Sequence, residues 1–190
     1  MAVSVLLLAA LLQAAPRAAG DPFVTAKPAE LAAYQAVIQT TKGKITLEFF
    51  PDKAPETVRN FLRLAAAEVY DNTLVHRVVP NFVIQTGAPA FRGSPLSVAQ
   101  QRLIHDLPPE FNDTPNAPGV VSMAHGDDPG SAQTSFFICT GECRPLDGKY
   151  TAFARVASGM EIVKAIEAVP VDGEKPKEPV TVLKIRVEKK

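Results

Sequence analysis

The sequence predicts a mostly β fold, a closed antiparallel barrel capped by two α-helices. Three observations point there. Short runs rich in Val, Ile and Phe recur along the chain. Only two sizeable stretches place apolar residues at helical spacing, and no composition shift marks a linker between domains. With 190 residues the chain makes one domain large enough to bury a real core. Hydrophobic residues make up 46% and charged residues 21%, an ordinary globular composition. Lys plus Arg and Asp plus Glu both total 20, so the formal net charge is zero. With no basic stripe interleaved with aromatics, this argues against a nucleic-acid binder.

The elements follow in order. MAVSVLLLAALLQAAPRAAG carries an apolar run from Val5 to Leu12 and ends in small residues at Ala18-Ala19-Gly20. It reads as a secretory signal cleaved near Gly20, although no Lys or Arg precedes the run. A membrane span needs about 20 apolar residues, so no stable membrane anchor is expected from it. Residues 21–33 are expected to be an N-terminal linker and 34–190 the folded domain. AVIQTTKGKITLEFF, from Ala36, reads as two strands flanking Lys42-Gly43, a hairpin that Pro51 ends. KAPETVRNFLRLAAAEVY is the first helix, with Pro55 near its start and Glu56 in its first turn. Strands interrupted by Pro80-Asn81 occupy 74–86. The segment 88–118 is long and turn-rich, apart from a helical turn at VAQQRLI, and a loop of that length is usually functional. GVVSMAH, TSFFICT and TAFARVASG are further strands, MEIVKAIEAV is the second helix, and VTVLKIRVE is the last strand.

LVHRVVPNFVIQTGAP, residues 74–89, is built like a buried strand yet contains His76, Arg77 and Gln85. Burying an unpaired guanidinium is costly, so Arg77 needs a reason to be there. VHRVVPNFVIQTG resembles the signature of the cyclophilins. APETVRNFLRLA, PEFN, PGVVSMA, SFFICT and LDGKYTAFARVASGMEIV are similar to further blocks of that family, in the same order. The resemblance covers roughly 34–188. It looks closest to bacterial, exported members, with Tyr150 where others carry His. It implies an eight-stranded barrel and peptidyl-prolyl cis-trans isomerisation, without cofactor or metal.

By that resemblance Arg77 and Gln85 are the catalytic pair. Phe82, Val83, Phe137 and Leu146 form a proline pocket with Tyr150 at its rim. Ala124 and His125 offer backbone groups along the groove, beside Ser135. Gln85 would bond either the substrate backbone or Arg77. The chemistry fits these residue types. A prolyl nitrogen regains its lone pair as the peptide bond twists, so a rigid, always-charged donor favours the transition state selectively.

Plainer readings stand beside these. Arg77 could be a structural cation paired with a carboxylate such as Glu110. His76 is expected to be a packed structural histidine, because isomerisation needs no proton transfer. Phe82 and Phe137 could be simple core aromatics, Tyr150 a surface residue, and Phe136 is expected in the core. Cys139 and Cys143 are read as unpaired thiols rather than a disulfide. Thr86-Gly87-Ala88 departs from the family's usual Gly-Gly-Asp, and Ser135 stands where a groove glutamine is common. Pro145 replaces a tryptophan that helps bind cyclosporin in many eukaryotic members, so weak cyclosporin binding is expected.

The partners implied are proline-containing polypeptide clients of a monomer. The alternative is a cyclophilin-fold chaperone or binding module with little turnover. A hydrolase is disfavoured because no G-x-S-x-G elbow is present, and a metalloenzyme because His76, His105 and His125 lack ligand spacing.

Overall fold

The structure is a computed structural model that describes residues 21–190, so the expected signal over 1–20 lies outside the described residues. Strands β1 (Tyr34–Thr40) and β2 (Gly43–Phe49) form the expected hairpin, followed by α2 (Pro55–Ala66). Before them lies a single helical turn, α1 (Pro28–Leu31). Next come β3 (Thr73–Leu74), β4 (Arg77–Val79), β5 (Val83–Thr86) and the short α3 (Val98–Gln101). Then follow β6 (Val120–Met123), β7 (Phe136–Cys139), β8 (Ala152–Ser158) and α4 (Met160–Glu167). A small hairpin of β9 (Val171–Asp172) and β10 (Lys175–Pro176) precedes the last strand, β11 (Thr181–Lys189).

The closed eight-stranded barrel is corrected here. Among the described residues, nine strands form one curled antiparallel sheet in the order β3-β11-β1-β2-β8-β6-β7-β5-β4, and hydrogen bonds do not close it. Its two terminal strands, β3 and β4, are consecutive in the chain. Two pieces of one extended stretch cannot pair with each other, so Val75 and His76 span the seam covalently. Val75 N donates to Val180 O at 2.8 Å on one side, and His76 N to Gln85 O at 3.1 Å on the other. The result is a half-barrel whose gap is bridged by backbone.

The hairpin loop is Thr41-Lys42, with Gly43 already paired to Thr40. Gly43 has φ 141°, and a Cβ there would lie 2.5 Å from Ile162 Cδ1 on α4. At this φ a side chain is strained, and the tip of Ile162 on α4 would have to move aside, so glycine suits the position.

Inside the curl, Phe61 of α2 meets Tyr70 at 5.1 Å and both Phe136 and Phe153 at 5.3 Å between ring centroids. Phe136 is fully buried, as its strand position predicts. Ala54, before α2, supplies no side-chain cap. Glu110 arrives from the long loop instead. Its carboxylate accepts from Glu56 N at 2.9 Å, Thr57 N at 2.8 Å and Thr57 Oγ1 at 2.7 Å. An anion there satisfies orphan N–H groups and matches the helix dipole.

Residues 21–33, expected as a linker, are docked onto the domain. Phe23 and Leu31 are buried, and Arg59 of α2 donates to Phe23 O at 3.0 Å and Ala26 O at 2.6 Å. Arg63 pairs with Asp21.

Candidate active site

The strand order brings β4, β5, β7 and the end of β6 side by side. Most of the predicted residues ride on them or on the turns that adjoin them, while Leu146 and Tyr150 come from the segment between β7 and β8. Arg77 of β4 is in register with Gln85 of β5, and Gln85 with Phe137 of β7. Between β4 and β5 the chain turns at Pro80-Asn81, with Asn81 in the left-handed region at φ 56°. Several contacts hold that turn. Phe82 N donates to Val79 O at 3.1 Å, while Phe82 O accepts from Thr140 N at 2.8 Å and from the Cys143 thiol at 3.0 Å. Glu167 on α4 accepts from Asn81 N at 2.7 Å. Phe82 is thereby fixed as a half-buried wall.

Arg77, Phe82, Val83, Gln85, Ala124, His125, Phe137, Leu146 and Tyr150 line one cavity of about 220 Å³. Its floor is a small apolar cluster, separate from the main core, containing Val83 and Phe137 with Cys139 and Cys143 beneath. Phe82 and Phe137 are thus cavity walls rather than members of the main core. Tyr150 meets Phe137 edge-on at 5.5 Å and stacks on His125 at 4.4 Å. The His125 ring nitrogens lie 2.7 Å from Gly126 O and 2.9 Å from Lys149 O, which pins the ring. Ala124 N already donates to Ser135 O at 2.8 Å, so its carbonyl is the group it can offer a peptide.

Ser135 does not line this cavity but the adjoining depression, which shares Gln85, Ala124 and His125 with it, so it stands along the groove beside the residues expected there. Ala88, Pro89, Gln133 and Thr134 also line that depression. The Ser135 hydroxyl accepts from Gln85 Nε2 at 3.2 Å and donates to Thr86 O at 3.1 Å. A polar string therefore runs from Arg77 through Gln85 and Ser135 to the β5 backbone. A short side chain is what places the hydroxyl within reach of Gln85.

Arg77 is paired, and its partner is Glu174 rather than Glu110. Arg77 Nε lies 2.6 Å from Glu174 Oε2 and Nη2 lies 3.1 Å from Oε1, while Nη1 donates to Gln85 Oε1 at 3.4 Å. The hydrogen bonds to Glu174 raise the arginine's pKa and lower the carboxylate's, so both groups stay ionised. Nothing in the sequence signals this contact, because Glu174 lies 97 residues downstream.

His76 lies outside the cavity. It stacks on Phe91 at 4.4 Å with nearly parallel rings, and burial lowers its pKa. Cys139 and Cys143 are both free and buried, and burial raises both thiol pKa values.

A cavity with an apolar side formed by Phe82, Val83, Phe137 and Leu146 and a clamped guanidinium at its edge, on a curled antiparallel sheet, joins an apolar surface to a fixed cationic donor. Comparison with known proteins gives the family. The model described as "Cyclophilin type peptidyl-prolyl cis-trans isomerase/CLD" matches residues 35–187. "Peptidyl-prolyl cis-trans isomerase-like 1" of Gibberella zeae is 36% identical over 153 residues, covering 80% of this chain and 93% of that protein. "Peptidyl-prolyl cis-trans isomerase cypE" of Dictyostelium discoideum is 36% identical over 148 residues, 77% of this chain and 93% of that protein. A crystal structure of a Cryptosporidium parvum cyclophilin-type isomerase, solved in the presence of the dipeptide Ala-Pro, superposes with a TM-score of 0.71 at 27% identity. The match covers 82% of this chain and 99% of that one.

The chain belongs to the cyclophilin-type peptidyl-prolyl cis-trans isomerase family, and its activity is that of an isomerase. The two sequence relatives named are eukaryotic, so the bacterial affinity expected from the sequence draws no support from them.

Proposed function

We propose that this protein binds X–Pro segments of unfolded chains with the proline ring in the Phe82–Phe137–Leu146 cavity, and that Arg77 donates to the prolyl nitrogen as the bond rotates. The barrier to rotation is about 18–20 kcal/mol, and the two X–Pro isomers are close in energy. Lowering the barrier needs only an interaction stronger at the twisted state than at either planar one. In the planar amide the nitrogen lone pair is conjugated and accepts no hydrogen bond. At the twisted state it does, and a preorganised donor in a partly desolvated cavity is worth more than one in water. The observation that carries this reading is the Arg77 guanidinium, held on an edge of a cavity that also presents the apolar side chains of Phe82, Val83, Phe137 and Leu146.

Exchange NMR on an Ala-Pro peptide tests it. Wild-type protein accelerates cis-trans exchange, and Arg77→Ala loses about 100-fold of the on-protein rate with peptide binding retained. Wild-type binding without acceleration would instead place the protein among proline-peptide chaperones.

The leader-like residues 1–20 support export, with the clients being proteins that fold outside the cytoplasm, where slow proline isomerisation limits folding. Sequencing the amino terminus of protein from the native host tests export, which predicts a start near Asp21. The same reading takes the protein as a monomer of the exported type without a stable membrane anchor. Pro145 in the wall-forming turn Arg144–Leu146 supports weak cyclosporin binding, measurable by titration.

A further inference from the structure

We propose that Glu174 is the positioning residue for Arg77, a role that rests on reading Arg77 as the donor to the prolyl nitrogen. Glu174 stands in the turn between β9 and β10, directly after Gly173 at φ 60°. The hairpin is closed at its base by Lys177 N donating to Pro170 O at 2.8 Å. Glu174 is tied to β4 twice. Its carbonyl accepts from Val78 N at 2.7 Å, one residue beyond Arg77, and its carboxylate takes the outer edge of the guanidinium through Nε at 2.6 Å and Nη2 at 3.1 Å.

A two-pronged carboxylate contact fixes the plane of a guanidinium as well as its position. With Nε and Nη2 held this way, the Nη1 edge on the Gln85 side is the one left to a ligand in the cavity that both residues line. The Nη1–Gln85 contact of 3.4 Å is too long to orient the group alone, so the stronger restraint is Glu174.

The pair is half exposed, with side-chain exposures of 35% and 55%, so it adds little to the stability of the fold. Its consequence lies in geometry. An arginine with several rotatable bonds, released from this clamp, spends less time with Nη1 aimed at the proline nitrogen. A small misplacement of a catalytic group costs a large factor in rate.

The test compares wild type, Glu174→Ala, Glu174→Gln, Arg77→Ala and the double variant by exchange NMR on the same Ala-Pro peptide, reading on-protein rate and Kd separately. Glu174→Ala is expected to lower the rate about tenfold, with Kd within about twofold and Tm unchanged. Glu174→Gln, which keeps one acceptor, loses about threefold. In the Arg77→Ala background, removing Glu174 costs nothing more, because the residue acts only through the arginine.

An unchanged or increased rate in Glu174→Ala overturns the proposal, an increase showing that the carboxylate holds Arg77 away from its target. Equal loss in both backgrounds also overturns it, since that would be a structural effect. Full activity in Arg77→Ala alone is a separate failure, that of the donor reading itself.

Discussion

Arg77 and Gln85 face each other across the β4–β5 ladder, with Nη1 donating to the amide oxygen at 3.4 Å. The amide's other end donates to Ser135, so Gln85 is held by one partner while it faces the cavity. Gln85→Ala removes the inner neighbour of the guanidinium and a polar group from the groove. The expected result is a loss of roughly tenfold in kcat/KM without a change in Tm, measured by peptide exchange and thermal unfolding.

Gly141 lies against the turn that presents Phe82. A Cβ at this position would sit 2.0 Å from Asn81 O and 2.6 Å from Asn81 C, backbone that cannot swing aside. Gly141→Ala should push the 80–82 turn outward, weaken peptide binding about tenfold and lower Tm. Chemical-shift perturbation by the peptide, titrated against the variant, measures the first effect. Unaltered binding would show that the turn tolerates displacement.

Glu110 contributes to stability through the start of α2. Glu110→Ala leaves Glu56 N, Thr57 N and Thr57 Oγ1 without their acceptor. The loss is about 1–2 kcal/mol, in line with removal of a helix cap. In a chain of this size that corresponds to a Tm decrease of roughly 2–8 °C. Calorimetry checks it, and isomerase activity below the transition should be retained.

His76 makes stability depend on acid. Its pKa in the folded state is depressed below the ordinary 6.5 by burial, so near and below that pH the unfolded chain binds more protons than the folded one. Stability is therefore complete above about pH 7 and falls as pH drops through 6.5, until the folded-state pKa is passed. His76→Phe keeps an aromatic face for Phe91 and removes the titration. Its Tm should lose less than the wild type's between pH 7 and pH 5, read by thermal melts at each pH.

Much of this was readable along the chain. Each strand run and both principal helices lie where apolar periodicity and Pro or Gly punctuation place them. The β4–β5 hairpin over 77–86 supplies Arg77, Phe82, Val83 and Gln85 from one short stretch, because positions paired across it and its turn face a common cavity. What was not readable is long-range. The seam at Val75–His76 depends on how far the sheet curls, which local propensity does not encode. The docking of residues 21–33 depends on Arg59 and Arg63 meeting carbonyl and carboxylate groups 33 and 42 residues away.

Glu110 and Glu174 make the same point together. Both are acidic residues beside a turn-rich segment, and nothing local separates the one that caps α2 from the one that clamps Arg77. By itself the sequence determined the strands and the helices, which follow from residue type and spacing within short windows. Its resemblance to the cyclophilins, carried by several motifs in order, implied the residues that line the cavity. Tertiary structure alone decided that the sheet stays open by ladder, that Ser135 serves Gln85, and that Glu174 holds the arginine. The last two rest on which polar groups the fold brings within about 3 Å of one another, and the first on how far the sheet curls, neither of which any spacing along the chain records.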